Sequence, residues 1–250
     1  MIKKSLLILC MVLFSACSRS REVPLHLVCA LDLSGSIATD GRTNSFNAVL
    51  DVFKTLKRGD SMTIIPITSD AQIEGPGQML RFKLSQKREP YDGDLRRLAE
   101  NVEDGLQTLL ASASAQPYKY TDILGTLQLA VEEFSYTQHN SHKVLLLLSD
   151  FIQDDPQYDF KGDKQLTTER SARIFATRLA KSKGAFLDNV QIYLGSIQSK
   201  DLRSLPRARR KGIRIFWIEF LSRQLANVKW ATDGPGQLEN FLSTLPRTVM

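Results

Sequence analysis

The sequence predicts a doubly wound α/β fold: a mostly parallel β-sheet with helices on both faces and one short antiparallel edge strand. Three observations predict it. Apolar runs of strand length recur at residues 25–33, 61–68, 143–150 and 190–195, and near-continuous apolar runs belong to strands covered on both sides. Segments with apolar residues at helical spacing lie between them, and strand–helix alternation over the whole length builds a parallel sheet with right-handed crossovers. The first strand also ends in Asp32, Ser34 and Ser36. These oxygen-bearing side chains alternate where the chain leaves the carboxyl edge of a strand, the place where open α/β sheets bind ligands.

The elements follow in order. After the strand at 25–33, Phe46, Val49, Leu50, Phe53 and Leu56 recur at helical spacing over 43–56, and Gly59 closes that helix. The second strand, 61–68, carries Met62, Ile64, Ile65 and Ile67; Pro66 lacks the N–H that a ladder needs and argues for an edge position or an early end. Gly75-Pro76-Gly77 reads as a turn, and 79–84 alternates as the antiparallel edge strand. A helix over 94–113 places Leu95, Leu98, Val102, Leu106, Leu109 and Leu110 on one side, and a helix over 121–134 precedes the strand at 143–150. In the second half a helix over 167–181 turns Ile174, Phe175 and Leu179 inward. A strand at 190–195, a basic helix at 201–210, a final strand at 213–220 and a closing helix at 238–245 follow. No repeat or internal boundary interrupts the alternation. The division is a leader at 1–16, a tether at 17–23 and one domain at 24–250, and about 230 residues suffice to bury one large core.

The leader has a positive start at Lys3 and Lys4, an apolar stretch over 6–14 and the small residues Ser15-Ala16 before Cys17. That is a secretory pattern whose apolar core is too short to span a bilayer. Ser15-Ala16-Cys17 resembles the lipobox of bacterial lipoproteins, with Phe14 where that motif favours Leu or another aliphatic residue. The resemblance implies cleavage before Cys17, acylation of its thiol and lipid anchoring in the bacterial cell envelope. Several acyl chains exceed the two signals that stable anchoring requires. In a two-membrane envelope, Ser18 implies the outer membrane, facing the periplasm. Ordinary secretion and an uncleaved N-terminal anchor are the alternatives. Of the three cysteines, Cys10 leaves with the leader and Cys17 carries lipid. Cys29 remains as a lone core thiol, so no intramolecular disulfide is expected.

The formal net charge is +6, and +4 once Lys3 and Lys4 depart with the leader. The excess sits at Lys200, Arg203, Arg207, Arg209, Arg210, Lys211 and Arg214, against the single acid Asp201. A secreted lipoprotein has little access to nucleic acid, so no nucleic-acid partner is expected. Arg203, Arg207, Arg209, Arg210 and Lys211 read either as a solvated helix face or as a contact for anionic lipid or an acidic protein.

Two further segments bear on chemistry. Thr121-Asp122 places a hydroxyl and a carboxylate at a loop-to-helix junction, and Ser149-Asp150 places a carboxylate at the end of a central strand. Asp32, Ser34, Ser36, Thr121 and Asp150 together resemble the metal-ion-dependent adhesion site of von Willebrand factor type A domains, and the order of motifs agrees over residues 24–245. The resemblance implies that Ser34 and Ser36 bind the ion directly, that Thr121 joins them when ligand is bound, and that Asp32 and Asp150 act largely through water. Neutral hydroxyls leave a cation poorly neutralised, with an open octahedral position that a partner protein's Asp or Glu can fill. Mg²⁺ fits best, Mn²⁺ is acceptable and Ca²⁺ is a poorer match. Without the resemblance, Ser34, Ser36 and Thr121 read as helix and loop caps. Phe151 stands where the family often has Gly. Asp154, Asp155, Asp159 and Asp163 read as a solvated loop, a repellent of acidic ligands or a second cation site. The segment 69–117 interposes much material before Thr121 and is expected to shape the rim.

Support for an enzyme is thin. His26 lies in the first strand, and His139 and His142 share a polar turn without a further zinc ligand nearby. There is no Gly-rich phosphate loop, no Gly-x-Ser-x-Gly elbow and no cysteine placed as a nucleophile. The expectation is a lipid-anchored, non-enzymatic module that binds a protein partner through a divalent metal. A metal-independent scaffold using the basic stretch at 200–214 is the alternative. The enzymatic alternative is a metal-dependent hydrolase with Asp122 as its base.

Overall fold

A computed structural model describes residues 23–85, 91–136, 141–184, 186–231 and 238–243. The leader, Cys17, most of the tether, His139 and the end of the predicted closing helix lie outside the described residues. The elements are β1 (Leu25–Asp32), α1 (Thr39–Lys54), β2 (Ser61–Ile67), α2 (Ala71–Gln78), β3 (Leu80–Lys83), α3 (Tyr91–Ala115) and α4 (Ile123–Ser135). They continue with β4 (His142–Ser149), a 3₁₀ turn (Lys164–Leu166), α5 (Glu169–Lys183), β5 (Val190–Ser196), α6 (Lys200–Ser204), α7 (Arg207–Arg223), β6 (Asn227–Ala231) and α8 (Leu238–Ser243).

The six strands form one sheet in the order β3-β2-β1-β4-β5-β6. Every neighbouring pair is parallel except β2 and β3, so the expected antiparallel edge strand is present. The chain winds outward from β1 to β3, then crosses back to place β4 on the other side of β1. The switch in strand order therefore falls between β1 and β4, where a crevice opens at the carboxyl edge.

Strand periodicity sorts the core into two layers. Leu25, Leu27, Cys29 and Leu31 pack with Val49 and Phe53 of α1 and Val102 and Leu106 of α3. Val28 and Ala30 face Leu127 and Phe134 of α4, Phe175 and Leu179 of α5, and Phe216, Trp217 and Phe220 of α7. Cys29 is free and fully buried, and burial pushes its thiol far above the ordinary range, so it is the inert core residue expected. Among the described residues no helix is long and apolar enough to cross a membrane.

The structure corrects five expectations. Residues 213–220 are not a strand but the middle of α7. Gly212, Ile213, Phe216, Trp217, Phe220 and Leu221 are its buried residues, adjacent pairs recurring every four positions, which is a helical stripe. The final strand is β6. The basic segment is likewise not one helix, because α6 stops at Ser204 and α7 begins after Pro206. Gly75-Pro76-Gly77 lies inside α2 rather than in a turn. Asp70 caps that helix by accepting the Ile73 N–H at 3.2 Å, and in eight residues a proline this late removes a single ladder bond. Gly75 there lets the helix lie against α4, since a Cβ would stand 2.5 Å from Leu129 Cδ1. Pro66 does not make β2 an edge strand. β2 lies between β1 and β3, but β3 pairs only as far as Ile64, so the proline falls where the outer neighbour has ended. Ile174 is exposed on α5, whereas Phe175 and Leu179 are buried as expected.

Candidate metal centre

β1 delivers Asp32 fully buried at the switch point. Its Oδ1 accepts the Ser34 N–H at 3.0 Å and its Oδ2 accepts the Ser149 hydroxyl at 2.6 Å. The carboxylate thus turns the loop after β1 and also ties β1 to β4. The Ser34 and Ser36 hydroxyls lie 3.2 Å apart, and Ser36 Oγ donates to Asp150 Oδ2 at 3.4 Å. Asp150 is buried, its Oδ1 accepts the Ile152 N–H at 2.9 Å, and the Ser199 hydroxyl donates to the same carboxylate. Hydrogen bonds therefore link the ends of β1 and β4 twice, from Asp32 to Ser149 and from the Ser34 and Ser36 hydroxyls to Asp150.

Thr121 reaches this edge through its backbone. Its N–H donates to Asp154 O at 2.7 Å, the Asp154 N–H donates back at 3.1 Å, and the next residue, Asp122, donates to Thr68 O at 3.0 Å. The segment is stitched between the loops that follow β4 and β2, so all five expected residues share one sheet edge. Four of them, Asp32, Ser34, Ser36 and Asp150, are joined by hydrogen bonds. The Thr121 hydroxyl makes no hydrogen bond to these four. Arg42 of α1 braces the loop by donating from Nη2 to Ser34 O at 2.8 Å.

Charge is unbalanced here. Burial, then the negative charge of Asp32, pushes the Asp150 carboxyl up to about 7; Ser199 and the Ile152 N–H oppose the rise and Asp201 adds to it. The donor set is wholly oxygen, two carboxylates and hydroxyls, which suits a hard divalent ion and not one that prefers nitrogen or sulfur. Among the described residues no group of three His, Cys, Asp or Glu is disposed to hold a metal, so a cation here depends on the serine and threonine hydroxyls.

Several expectations about neighbouring residues change. Asp122, the candidate base of a hydrolase, caps α4: its Oδ1 accepts the Gly125 N–H at 2.8 Å and its Oδ2 the Ala71 N–H at 3.3 Å. The acidic loop is not merely solvated. Asp154 pairs with Lys161 at 2.6 Å, while Asp155, Asp159 and Asp163 accept the backbone N–H groups of Tyr158, Lys161 and Gln165. In the basic stretch Arg209 donates to Asp163 O at 2.6 Å and Lys211 pairs with Glu169, whereas Arg203, Arg207 and Arg210 are exposed. His142 opens β4. His26 shares a 2.6 Å hydrogen bond with Ser61 Oγ, and burial lowers its ring to about 4.

Sequence reasoning missed Ser149, Ser199, Gln153 and Arg42. Ser149 was visible beside Asp150. Ser199 carried the signal of an N-cap, since it accepts the Leu202 N–H at 2.8 Å, but nothing linked it to Asp150. Gln153 is fully buried, accepts the Leu124 N–H at 3.0 Å and donates to Asp122.

No family model and no curated protein sequence matches the chain. Solved structures resemble its fold. BatB from Bacteroides thetaiotaomicron is 12% identical over 88% of this chain and 96% of its own, with a TM-score of 0.46. A von Willebrand factor type A protein from Catenulispora acidiphila is 17% identical over 88% of this chain and 42% of its own, at 0.44. The ArnB paralog VWA2 from Sulfolobus acidocaldarius is 13% identical over 88% of this chain and 44% of its own, at 0.43. The chain spans less than half of the latter two. Likeness at this level concerns the fold and assigns no function.

Proposed function

We propose that this chain is a lipid-anchored binding module that engages an acidic group on a protein partner through a divalent cation, Mg²⁺ or Mn²⁺. The observation that carries the reading is a pair of buried carboxylates at the switch point: Asp32 holds the Ser34 backbone N–H, and the Ser34 hydroxyl reaches Asp150 through that of Ser36. Asp32 orients the loop, Ser34, Ser36 and Thr121 supply neutral donors, and Asp150 supplies the second charge. A cation bound there would supply an electrophile for a partner's Asp or Glu. Residues 1–16 act as the leader and Cys17 as the lipidated anchor at the cell envelope, consistent with the leader pattern in the sequence. No residue is given a bond-breaking role. The scaffold alternative is weakened because Arg209 and Lys211, two of its five contact residues, are engaged within the domain.

Calorimetric titration of Mg²⁺ and Mn²⁺ into the purified chain tests the reading. The chain binds one ion, Ser36→Ala weakens binding while the thermal transition stays cooperative, and Asp32→Ala abolishes it. Equal heats from the wild type and both variants would overturn it.

A further inference from the structure

We propose that Arg210 and Arg214 form an anion subsite beside the Asp150 end of the centre, so that the partner presents two acidic groups, one to the cation and one to the arginines. The inference rests on the cation-dependent reading above and adds what the partner must carry. A cavity of about 200 Å³ is lined by Asp150, Ser196, Gln198, Leu202, Arg210 and Arg214. Small-molecule pockets run to roughly 300–1,000 Å³, so this one admits a side chain rather than a whole cofactor.

Arg210 and Arg214 stand one turn apart on α7 and share a face. Both are exposed, and no ion pair among the described residues engages Arg210. Lys161 lies 3.3 Å from Asp201, the single acid among the basic residues at 200–214. A guanidinium matches a carboxylate in a two-bond fork that lysine cannot reproduce.

The subsite is held in place relative to Asp150. The Trp217 Nε1–H on α7 donates to Phe151 O at 2.8 Å, one residue from Asp150. Arg209 anchors the start of α7 to the Asp163 carbonyl, and Gly212 brings the helix against Leu166. The separation between carboxylate and arginines is therefore set before a partner arrives, and preorganisation of that kind turns contacts into affinity.

Acetate and a series of linear dicarboxylates from succinate to suberate, titrated into the full chain in Mg²⁺ and in EDTA and read by NMR or calorimetry, test the proposal. In Mg²⁺ at least one dicarboxylate binds about tenfold tighter than acetate, the gain expected of one charge-assisted contact. Arg210→Gln/Arg214→Gln brings that dicarboxylate down to the level of acetate and leaves acetate unchanged. Equal binding of acetate and every dicarboxylate, lost in EDTA and indifferent to the double variant, overturns the subsite and leaves the cation reading standing. Dicarboxylate binding that survives EDTA but falls in the double variant overturns the cation reading and with it the two-point clamp. No binding of any dicarboxylate up to about 50 mM overturns the subsite, and the separate Mg²⁺ titration then decides the centre.

Discussion

Two buried titratable groups push stability in opposite directions over one pH window, and a bound cation cancels only one of them. Burial and the charge of Asp32 raise Asp150 from 3.8 to about 7. Because its folded value lies above the unfolded one, the folded chain holds the extra proton, and stability falls as pH rises from about 4 to 7. His26 behaves inversely. Burial lowers its ring from 6.5 to about 4, against a smaller opposing pull from Glu133 and alongside repulsion from Lys143, and the residue is only 7% exposed. The unfolded chain then binds the extra proton, so stability rises between about pH 4 and 6.5. At about 1.36 kcal/mol per unit, going from about pH 4.5 to 7.5 costs roughly 3 kcal/mol at Asp150 and returns roughly 2–3 kcal/mol at His26.

The metal-free wild type therefore has a nearly flat profile in urea unfolding with EDTA. Asp150→Asn exposes the His26 limb, and the variant gains roughly 2–3 kcal/mol over that range. His26→Leu exposes the Asp150 limb, and that variant loses about 3 kcal/mol. Saturating Mg²⁺ makes the wild type follow the Asp150→Asn slope, because a cation favours the ionised carboxylate. A wild-type slope identical in EDTA and Mg²⁺ would refute a cation at Asp150. A slope unchanged by Asp150→Asn would refute the raised carboxyl itself.

The remaining predictions concern the frame around the centre. Gly212→Ala costs about 2–4 kcal/mol in the same assay, because its Cβ would stand 1.9 Å from Leu166 O and backbone cannot yield cheaply. Arg81→Ala leaves Glu133 buried without the fork that Arg81 makes to it at 2.6 and 2.9 Å, and costs about 1–3 kcal/mol. Arg81→Met/Glu133→Leu recovers most of that loss, whereas a pair that merely decorated the surface would show neither effect. Phe151→Gly relieves a left-handed backbone worth about 1–2 kcal/mol but removes a buried ring worth about 3–5 kcal/mol, so unfolding urea concentrations fall.

What was legible in the sequence follows from how burial writes itself there. β1, β2 and β4 sit in the middle of the sheet with both faces covered, so their residues form near-continuous apolar runs that no helix of that length would require. The three segments of the centre were legible for a related reason, since each follows directly on such a run or opens a helix. α7 was misread because Ile213, Ile215 and Trp217 alternate with Arg214 and Phe216, and over eight residues that imitates a strand. Its buried set shows the helical spacing only when Gly212, Phe220 and Leu221 are counted with it. β6 escaped because five residues that include Asn227 and Lys229 at an edge carry little pattern. Ser199 escaped because its contact with Asp150 joins residues distant in sequence.

Phe151 follows Asp150 directly and sets the course of the loop after β4. Its φ is 64°, the left-handed region that an aromatic side chain seldom adopts. Glycine would enter that conformation without strain, and Phe must be compelled into it. The compulsion is visible: the Phe151 N–H donates to Ser149 Oγ at 2.9 Å, the carbonyl accepts the Trp217 Nε1–H, and the ring is buried 6.5 Å from the indole. Ser149 Oγ donates in turn to Asp32, so one hydroxyl couples the strained residue to the buried carboxylate of the neighbouring strand. Glycine would keep the turn and both backbone hydrogen bonds but would lack the buried ring. Phe adds a buried ring against Trp217, a second hold between the loop carrying Asp150 and α7, the helix that presents Arg210 and Arg214. Phe151 thus ties the loop carrying Asp150 to the helix that carries Arg210 and Arg214 from within the buried aromatic layer.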